Sequence, residues 1–364
     1  MKRIGIDARL YSQTGVGVYI RNLLHFLNKM EIKEIIFYVY LLDQDFEKIS
    51  FKNKSFIKKR ANYHWHTFNE QIGFLKTLNR DNLDLMHFTY FSFPILYKKK
   101  YLATVHDLTP IYFKTGKAST KNKLRYELKH LAFKQVLKTQ VKNAIKIITP
   151  TKTVKDQLVN YYGNDLHNKI DFIYEGVNYE FYNTKENNNL KVNFPGNFFI
   201  YVGNFYPHKN VKNLVRAFSQ IKNKDYKLIL VGPKDFFVSR LFQLINKLKQ
   251  EERIIFYHNQ SINDLIFFYK NAVGLIHPSL SEGFGLPIVE AMNFNLPIIA
   301  SDILVFKEIL GDQYLSFSPN NPRDMTKKIN NFIQNEQTFN YESLIKKYSF
   351  KTMAEKIFDC YHKL

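Results

Sequence analysis

Apolar residues along this chain fall into two alternating patterns. Short unbroken runs, of the length that buries a strand on both faces, are followed by stretches with apolar positions at helical spacing. Ile4-Gly5-Ile6-Asp7 reads as a short buried strand. A polar turn follows, Ser12-Gln13-Thr14-Gly15-Val16-Gly17, and then a helical pattern over 18–28 with Tyr19, Leu23, Leu24 and Leu27 on one face. Strand, glycine-bearing loop and helix open a βαβ unit. Further strands are expected over 35–42, 85–88, 101–105, 144–149 and 171–174.

The pattern restarts after an Asn- and Lys-rich stretch at about 182–195 that closes on Pro195-Gly196. Strands are expected over 198–202, 228–231, 254–257, 274–277 and 297–300, with a helix over 211–221. The last residues, 350–364, read as a helix with Met353, Ile357 and Tyr361 on one face. Alternating strands and helices predict parallel sheets covered on both faces, an α/β chain. The expected division is a first domain over 1–185, a linker over 186–196, a second domain over 197–349 and a terminal helix, 350–364, packing back toward the first domain.

Length agrees with two domains: the chain has 364 residues, 45% of them hydrophobic, against roughly 100–200 residues per domain. Charge changes the picture more. The net charge of +21 favours anionic partners. Residues 1–190 carry 31 Lys and Arg against 17 acids, and the rest carry 22 against 15. The stretch Lys114–Lys146 holds ten basic residues against the single acid Glu127, interleaved with Leu124, Leu128, Leu131 and Val136. It reads as a helix pair and a candidate contact for an anionic membrane surface; an ordinary solvated basic face is the alternative. The lone Cys360 cannot form an internal disulfide or a cysteine zinc site. No apolar run of about 18 residues and no signal-peptide pattern is visible, so a cytoplasmic location, peripheral at most to the inner face of a membrane, is expected.

The segment richest in chemistry is Ser279-Leu280-Ser281-Glu282-Gly283-Phe284-Gly285-Leu286-Pro287-Ile288-Val289-Glu290-Ala291-Met292. It follows an expected strand and runs into a helix with Pro287 in its first turn. Gly283 and Gly285 let the backbone approach a ligand, and N–H groups at a helix start can hold phosphate oxygens. Glu282 and Glu290 could accept hydrogen bonds from sugar and ribose hydroxyls. A carboxylate supporting the helix dipole and a solvated helix-face Glu are the plainer readings.

This segment resembles the Glu-x7-Glu motif of retaining glycosyltransferases of family 4. Ile4-Gly5-Ile6-Asp7-Ala8-Arg9 with Gly15-Val16-Gly17, Thr104-Val105-His106-Asp107-Leu108-Thr109-Pro110, and Tyr201-Val202-Gly203-Asn204-Phe205-Tyr206-Pro207-His208-Lys209-Asn210 resemble other family motifs in the family's order. The resemblance implies the GT-B architecture, two Rossmann-like domains with parallel sheets facing a cleft. It implies metal-independent transfer of a hexose-type sugar from a UDP-, GDP- or dTDP-sugar to a glycan or lipid-linked acceptor, with retention, in surface polysaccharide or lipopolysaccharide assembly. By resemblance, Glu282 contacts the donor sugar, Glu290 the ribose, and Lys209 the diphosphate. Gly283, Phe284, Gly285 and Leu286 line the donor, Gly15 and Gly17 close over the diphosphate, and His106 stands by the reacting centre. Asn204 occupies the position where many members carry a second phosphate-binding Arg, so Lys209 acts alone or with His208 or another basic residue.

Other patterns carry less. Gly15-Val16-Gly17 has Ile20 where a dinucleotide fingerprint has its third glycine. Asp43-Gln44-Asp45 is formally a metal-binding pattern but reads as a solvated loop, and His64-Trp65-His66 as a strand with one His outward. No metal and no tightly bound cofactor are expected. The rival functions are a nucleotide-sugar epimerase of the same fold, a nucleic-acid-binding protein suggested by the charge, and an inactive scaffold. No recognition motif of the usual nucleic-acid modules is present, so nucleic acid is not an expected partner.

Overall fold

The computed structural model describes residues 1–113, 123–194, 196–335 and 337–364, the side chains of 123–126 excepted. Two compact units emerge, each built on one all-parallel sheet. The first comprises the described residues of Met1–Ile111, Thr120–Gly176 and Ser349–Leu364. The second comprises those of Val177–Tyr348, with Tyr112 and Phe113.

The first sheet has seven strands: β1 (Lys2–Asp7), β2 (Ile35–Leu41), β3 (Phe56–Arg60), β4 (Leu85–Phe88), β5 (Tyr101–Thr104), β6 (Lys146–Thr149) and β7 (Ile170–Phe172). Their order is β3-β2-β1-β4-β5-β6-β7. The second has six: β8 (Phe198–Val202), β9 (Lys227–Val231), β10 (Ile254–Tyr257), β11 (Gly274–His277), β12 (Ile298–Ser301) and β13 (Leu315–Phe317), in the order β10-β9-β8-β11-β12-β13. Strand order reverses between β1 and β4 and between β8 and β11. Open α/β sheets bind ligands beyond the strand ends at such switch points. The central strands are buried on both faces, as their unbroken apolar runs require.

β3 was not legible as a strand. Its Phe56-Ile57-Lys58-Lys59-Arg60 is mostly cationic because it forms an edge, where lysines discourage further pairing. The charges are settled locally: the Lys58 ammonium donates to the carbonyls of Phe46 and Ile49 at 2.6 and 2.7 Å, and Lys59 pairs with Asp81 at 3.2 Å.

The Phe350–Lys363 helix belongs to the first unit and packs on the Val16–Asn28 helix. Met353, Ala354, Ile357 and Tyr361 form its buried stripe. Burying each of the larger side chains stabilises by roughly 1.5–3 kcal/mol. Ser349 caps its start by accepting from the Thr352 N–H, and Lys2 ties its end by donating to the Tyr361 carbonyl at 2.7 Å.

The stretch expected as a linker is structured within the second unit. Asn187 bonds both the carbonyl of Asn263 and the carboxylate of Asp264, at 3.1 and 2.7 Å, and Leu190–Asn193 is a helical turn. Pro195 lies outside the described residues. The chain passes between the units instead at Gly176–Val177 and at Tyr348–Ser349, besides the step at Ile111–Tyr112. Polar composition misled here because Asn187 is spent on protein partners.

Two smaller expectations also change. Asp43-Gln44-Asp45 opens a helical turn, Asp43–Phe46, and Asp45 is buried, accepting from the Ser12 hydroxyl. His64-Trp65-His66 is a turn rather than a strand, and its His66 N–H donates to Glu70 at 3.0 Å. Of the basic stretch, residues 114–122 lie outside the described residues, Lys123–Asn143 is one helix, and Lys146 opens β6. Leu137 and Val141 are buried while Leu128 and Leu131 are exposed.

Candidate functional site

In the second unit, the loops after β8 and β11 flank the switch point and are laced together. The Asn210 side chain donates to the carbonyls of Pro278 and Pro319 at 3.1 and 2.8 Å, and the Leu280 N–H donates to the His208 carbonyl at 2.8 Å. Asn210 has φ +60°, a left-handed conformation that Asn tolerates better than most residues. This lacing brings Lys209, from the first loop, against Glu282, from the second.

Glu282 accepts hydrogen bonds from three side chains. Its Oε1 accepts from Lys209 Nζ at 2.6 Å, Ser279 Oγ at 2.6 Å and His277 Nε2 at 3.0 Å. Its Oε2 accepts from Lys209 Nζ alone among these, at 2.8 Å, which leaves room for a further donor. Burial by itself would raise the Glu282 pKa, but the charge of Lys209 and then the bond from His277 hold it well below the usual carboxylate range. His277 is pulled down by its own burial, so it is neutral near pH 7 and donates through Nε2–H.

The segment following Glu282 prepares a helix start. Gly283, Phe284 and Gly285 are buried, and Gly285 takes φ +90° immediately before the Leu286–Asn293 helix. A side chain at 285 would be strained by that backbone and would meet the Phe306 ring at 3.0 Å. Pro287 sits in the first turn. One turn further, Glu290 is buried, not solvated, and its Oε2 accepts from the Tyr269 hydroxyl at 2.7 Å. Burial pushes Glu290 up to about 7, against the opposing effect of that hydrogen bond.

Asn204 is partly exposed and turns inward on its own loop: its Oδ1 faces the Tyr206 N–H at 3.4 Å and its carbonyl accepts from Tyr201. His208 does not replace the missing Arg charge. Burial, then the neighbouring Lys209, push it down to about 4, so it is neutral near pH 7.

In the first unit, His106 follows β5 and is buried. Its Nε2 lies 2.9 Å from the Thr89 carbonyl and its Nδ1 lies 3.2 Å from Glu175. Asp107 is structural, accepting from the Thr109 N–H at 2.7 Å. Gly15 has φ +63° at the N-cap of the Val16–Asn28 helix, with no other atom within 4 Å of where a side chain would start. Gly17 packs so closely on the Tyr11 carbonyl that a Cβ would stand 2.7 Å from it. The turn before Gly15 is braced by Arg21, which donates to the Tyr11 carbonyl at 2.6 Å.

Beside the β1 end lies a buried ionic cluster. Arg9 donates to both oxygens of Asp7 at 2.8 and 2.7 Å and to Glu70 at 2.8 Å, and its guanidinium lies 4.0 Å over the Phe74 ring. Glu70 also accepts from Ser92 at 2.8 Å. Among the described residues, no group of three or more His, Cys, Asp or Glu side chains is placed to hold a metal ion.

The architecture and both loops have counterparts in known proteins. Residues 13–181 match the model described as Glycosyltransferase Family 4, and residues 183–351 match that described as Glycosyl transferases group 1. The chain belongs to glycosyltransferase family 4. The transferase is 28% identical over 295 residues to the O-antigen chain mannosyltransferase RfbU of Salmonella typhimurium, covering 80% of this chain and 77% of that one. Its fold is GT-B. Sucrose-phosphate synthase of Thermosynechococcus elongatus superposes with a TM-score of 0.77 at 18% identity, covering 100% of this chain and 99% of that one. HepE of Anabaena, solved with UDP and glucose, gives 0.76 at 16% identity over 100% of both chains.

Several site residues of this glycosyltransferase escaped sequence reasoning. His277 and Ser279 stand at the head of the Glu282 segment, and their spacing of five and three residues from Glu282 was the available signal. Tyr269, Arg9, Glu70 and Glu175 reach their partners only through the fold.

Proposed function

We propose that this glycosyltransferase moves a hexose-type sugar from a nucleotide diphosphate sugar to an acceptor hydroxyl, with retention and without a metal ion, in the assembly of a surface polysaccharide or glycolipid. The observation that carries the reading is the Lys209–Glu282 pair held beside the Gly283–Gly285 turn and the helix start at Leu286. It joins a cation, an ionised carboxylate with an open acceptor position on Oε2 and a glycine turn that lets the backbone approach a ligand, the parts an anionic sugar donor needs. The relation to an O-antigen chain mannosyltransferase supports a mannosyl-type donor and a polysaccharide acceptor.

In this mechanism Glu282 Oε2 accepts from a donor-sugar hydroxyl, and Glu290 accepts from the ribose. Gly283, Phe284, Gly285 and Leu286 border the sugar and phosphates, and Asn204 offers a neutral donor to the diphosphate. Lys209 moves part of its contact from Glu282 to the diphosphate. The anomeric C–O bond to phosphate breaks, and positive charge on Lys209 stabilises the leaving oxygen. The acceptor oxygen bonds the same carbon from the same face, and its proton passes to the departing phosphate. We assign Gly15 and Gly17 to the diphosphate and His106 to the donor sugar by their resemblance to the family's motifs. The first domain takes the acceptor and the second the donor.

The Lys123–Asn143 helix supports peripheral contact with an anionic membrane: Leu128 and Leu131 are exposed on it beside Lys129. No helix among the described residues is long and apolar enough to cross a membrane.

The test is thermal stabilisation by UDP, GDP and dTDP, with Glu290→Ala as control. A ligand at 100 times its Kd stabilises by about 2.7 kcal/mol. One base should win and lose its effect in the variant. NMR of the product's anomeric configuration, with and without EDTA, then tests retention and metal independence. An inverted product, EDTA-sensitive turnover or indifference to every nucleotide would overturn the corresponding part.

A further inference from the structure

Both ring nitrogens of His106 face acceptors. Nε2 meets the Thr89 carbonyl at 2.9 Å and Nδ1 meets Glu175 Oε1 at 3.2 Å. A carbonyl only accepts, so Nε2 carries a hydrogen. An ionised carboxylate also only accepts, so Nδ1 carries one too, and a ring with both is an imidazolium.

His87, on the adjacent strand β4, makes the contrast. Its nitrogens meet the hydroxyls of Tyr361 and Thr104 at 2.6 and 2.8 Å, and a hydroxyl can donate or accept, so a neutral ring satisfies both. Burial, then charge on His106, push His87 down to about 3. Burial opposes charge on His106 as well, but the hydrogen bond and charge of Glu175, with help from Thr89 and Asp107, outweigh it and raise its pKa.

Glu175 is itself buried and held in place. The next residue, Gly176, lies so close to the start of the terminal helix that a Cβ would stand 2.4 Å from the Phe350 nitrogen. The Tyr19 ring packs edge-on against His106, with centroids 4.8 Å apart, and the Asp107 carboxylate accepts from the Thr109 N–H.

We infer that Glu175 is a positioning residue that holds His106 as a fixed imidazolium, so that His106 stands at the reacting centre as a permanent cation and takes no proton during transfer. The inference rests on the placement of His106 in the proposed function; its charge state does not. The acceptor proton therefore goes to the leaving phosphate, and His106 contributes field and shape.

The test is 15N NMR of histidine-labelled full-length protein, with the His106 signals assigned by His106→Gln, alongside pH profiles of transfer. Glu175→Gln is isosteric: its amide can donate to an unprotonated Nδ1, so the fold survives while the charge is removed. In the parent, the two His106 ring nitrogens should resonate close together, as in imidazolium, through pH 8. In Glu175→Gln they should split, as in a neutral ring, at pH 7.5. There kcat should fall about tenfold or more with little change in KM. Activity should return as the pH is lowered and the ring recharges, and Glu175→Asp should restore both signals and rate. Split nitrogens in the parent would place the proton on Glu175 and overturn the inference, as would an unchanged pH profile in Glu175→Gln. Failure of nucleotides to stabilise the parent would instead overturn the proposed function and leave the NMR result standing.

Discussion

The Lys209 ammonium bridges both carboxylate oxygens of Glu282, at 2.6 and 2.8 Å, across a sequence separation of 73 residues. The side chains are 17% and 9% exposed, so the pair is largely withdrawn from solvent. Removing one partner of such a pair strands the other charge.

Lys209→Met should therefore lower stability by about 2–4 kcal/mol, somewhat less than for a fully buried pair because some solvent reaches the ammonium. It should also reduce turnover by about 100-fold or more. Adding Glu282→Gln should recover much of the stability and none of the turnover. Denaturant melts and initial rates of the single and double variants check this.

Glu290 couples stability and donor binding to pH. Its folded pKa, about 7, stands above the ordinary glutamate value of 4.5, so the folded chain holds this proton more tightly than the unfolded chain does. The group imposes no penalty below pH 4.5; stability is lost as pH rises from 4.5 to 7 and stays lost above. The difference corresponds to about 3 kcal/mol. Glu290→Gln should remove that slope, leaving the variant more stable than the parent at pH 8 when melts are compared across pH.

Affinity for a nucleotide sugar should move the other way. Ionised Glu290 accepts ribose hydroxyls more strongly than the neutral acid, so binding should tighten roughly fivefold as pH rises through 7. The diphosphate diester of the donor does not titrate there. Calorimetry at pH 6 and 8 measures the change, and Glu290→Gln should abolish it.

Gly285 carries the left-handed turn into the Leu286–Asn293 helix. Gly285→Ala should cost about 1–3 kcal/mol from the backbone at φ +90°. The contact with Phe306, 3.0 Å from the added carbon, adds to this. Thermal melts check the stability, and nucleotide titration should show weaker donor binding.

The Lys123–Asn143 helix should mediate vesicle binding. Lys129, Lys134 and Lys138, changed together to Gln, should weaken binding to anionic vesicles by about 3 kcal/mol, roughly 1 kcal/mol per lysine. Binding to neutral vesicles should not change. Sedimentation at two salt concentrations measures this, and unchanged binding would remove the membrane contact.

The strands β4, β8 and β11 were legible to the residue, because a strand buried on both faces must be an unbroken apolar run. The terminal helix was equally plain, since Met353, Ile357 and Tyr361 recur at one-turn spacing. The Glu282–Glu290 segment was legible because loop, glycine turn and helix start are consecutive in the chain, so local sequence carries their geometry. β3 was hidden because two lysines and an arginine fill most of this edge strand, and the stretch before Pro195 was misread because polar residues serve surfaces and protein partners alike.

Tertiary structure alone decided the charges. Sequence placed Lys209, Glu282, Glu290 and His106 as candidate chemistry, but protonation depends on what faces each atom. Glu282 is ionised because Lys209 reaches it across the laced loops. Glu290 is pushed up to about 7 because the fold buries it, against the opposing hydrogen bond from Tyr269. His87 and His106 differ because one meets hydroxyls and the other acceptors. Those partners lie tens to hundreds of residues away, and only the folded chain brings a donor or an acceptor to a given nitrogen or oxygen.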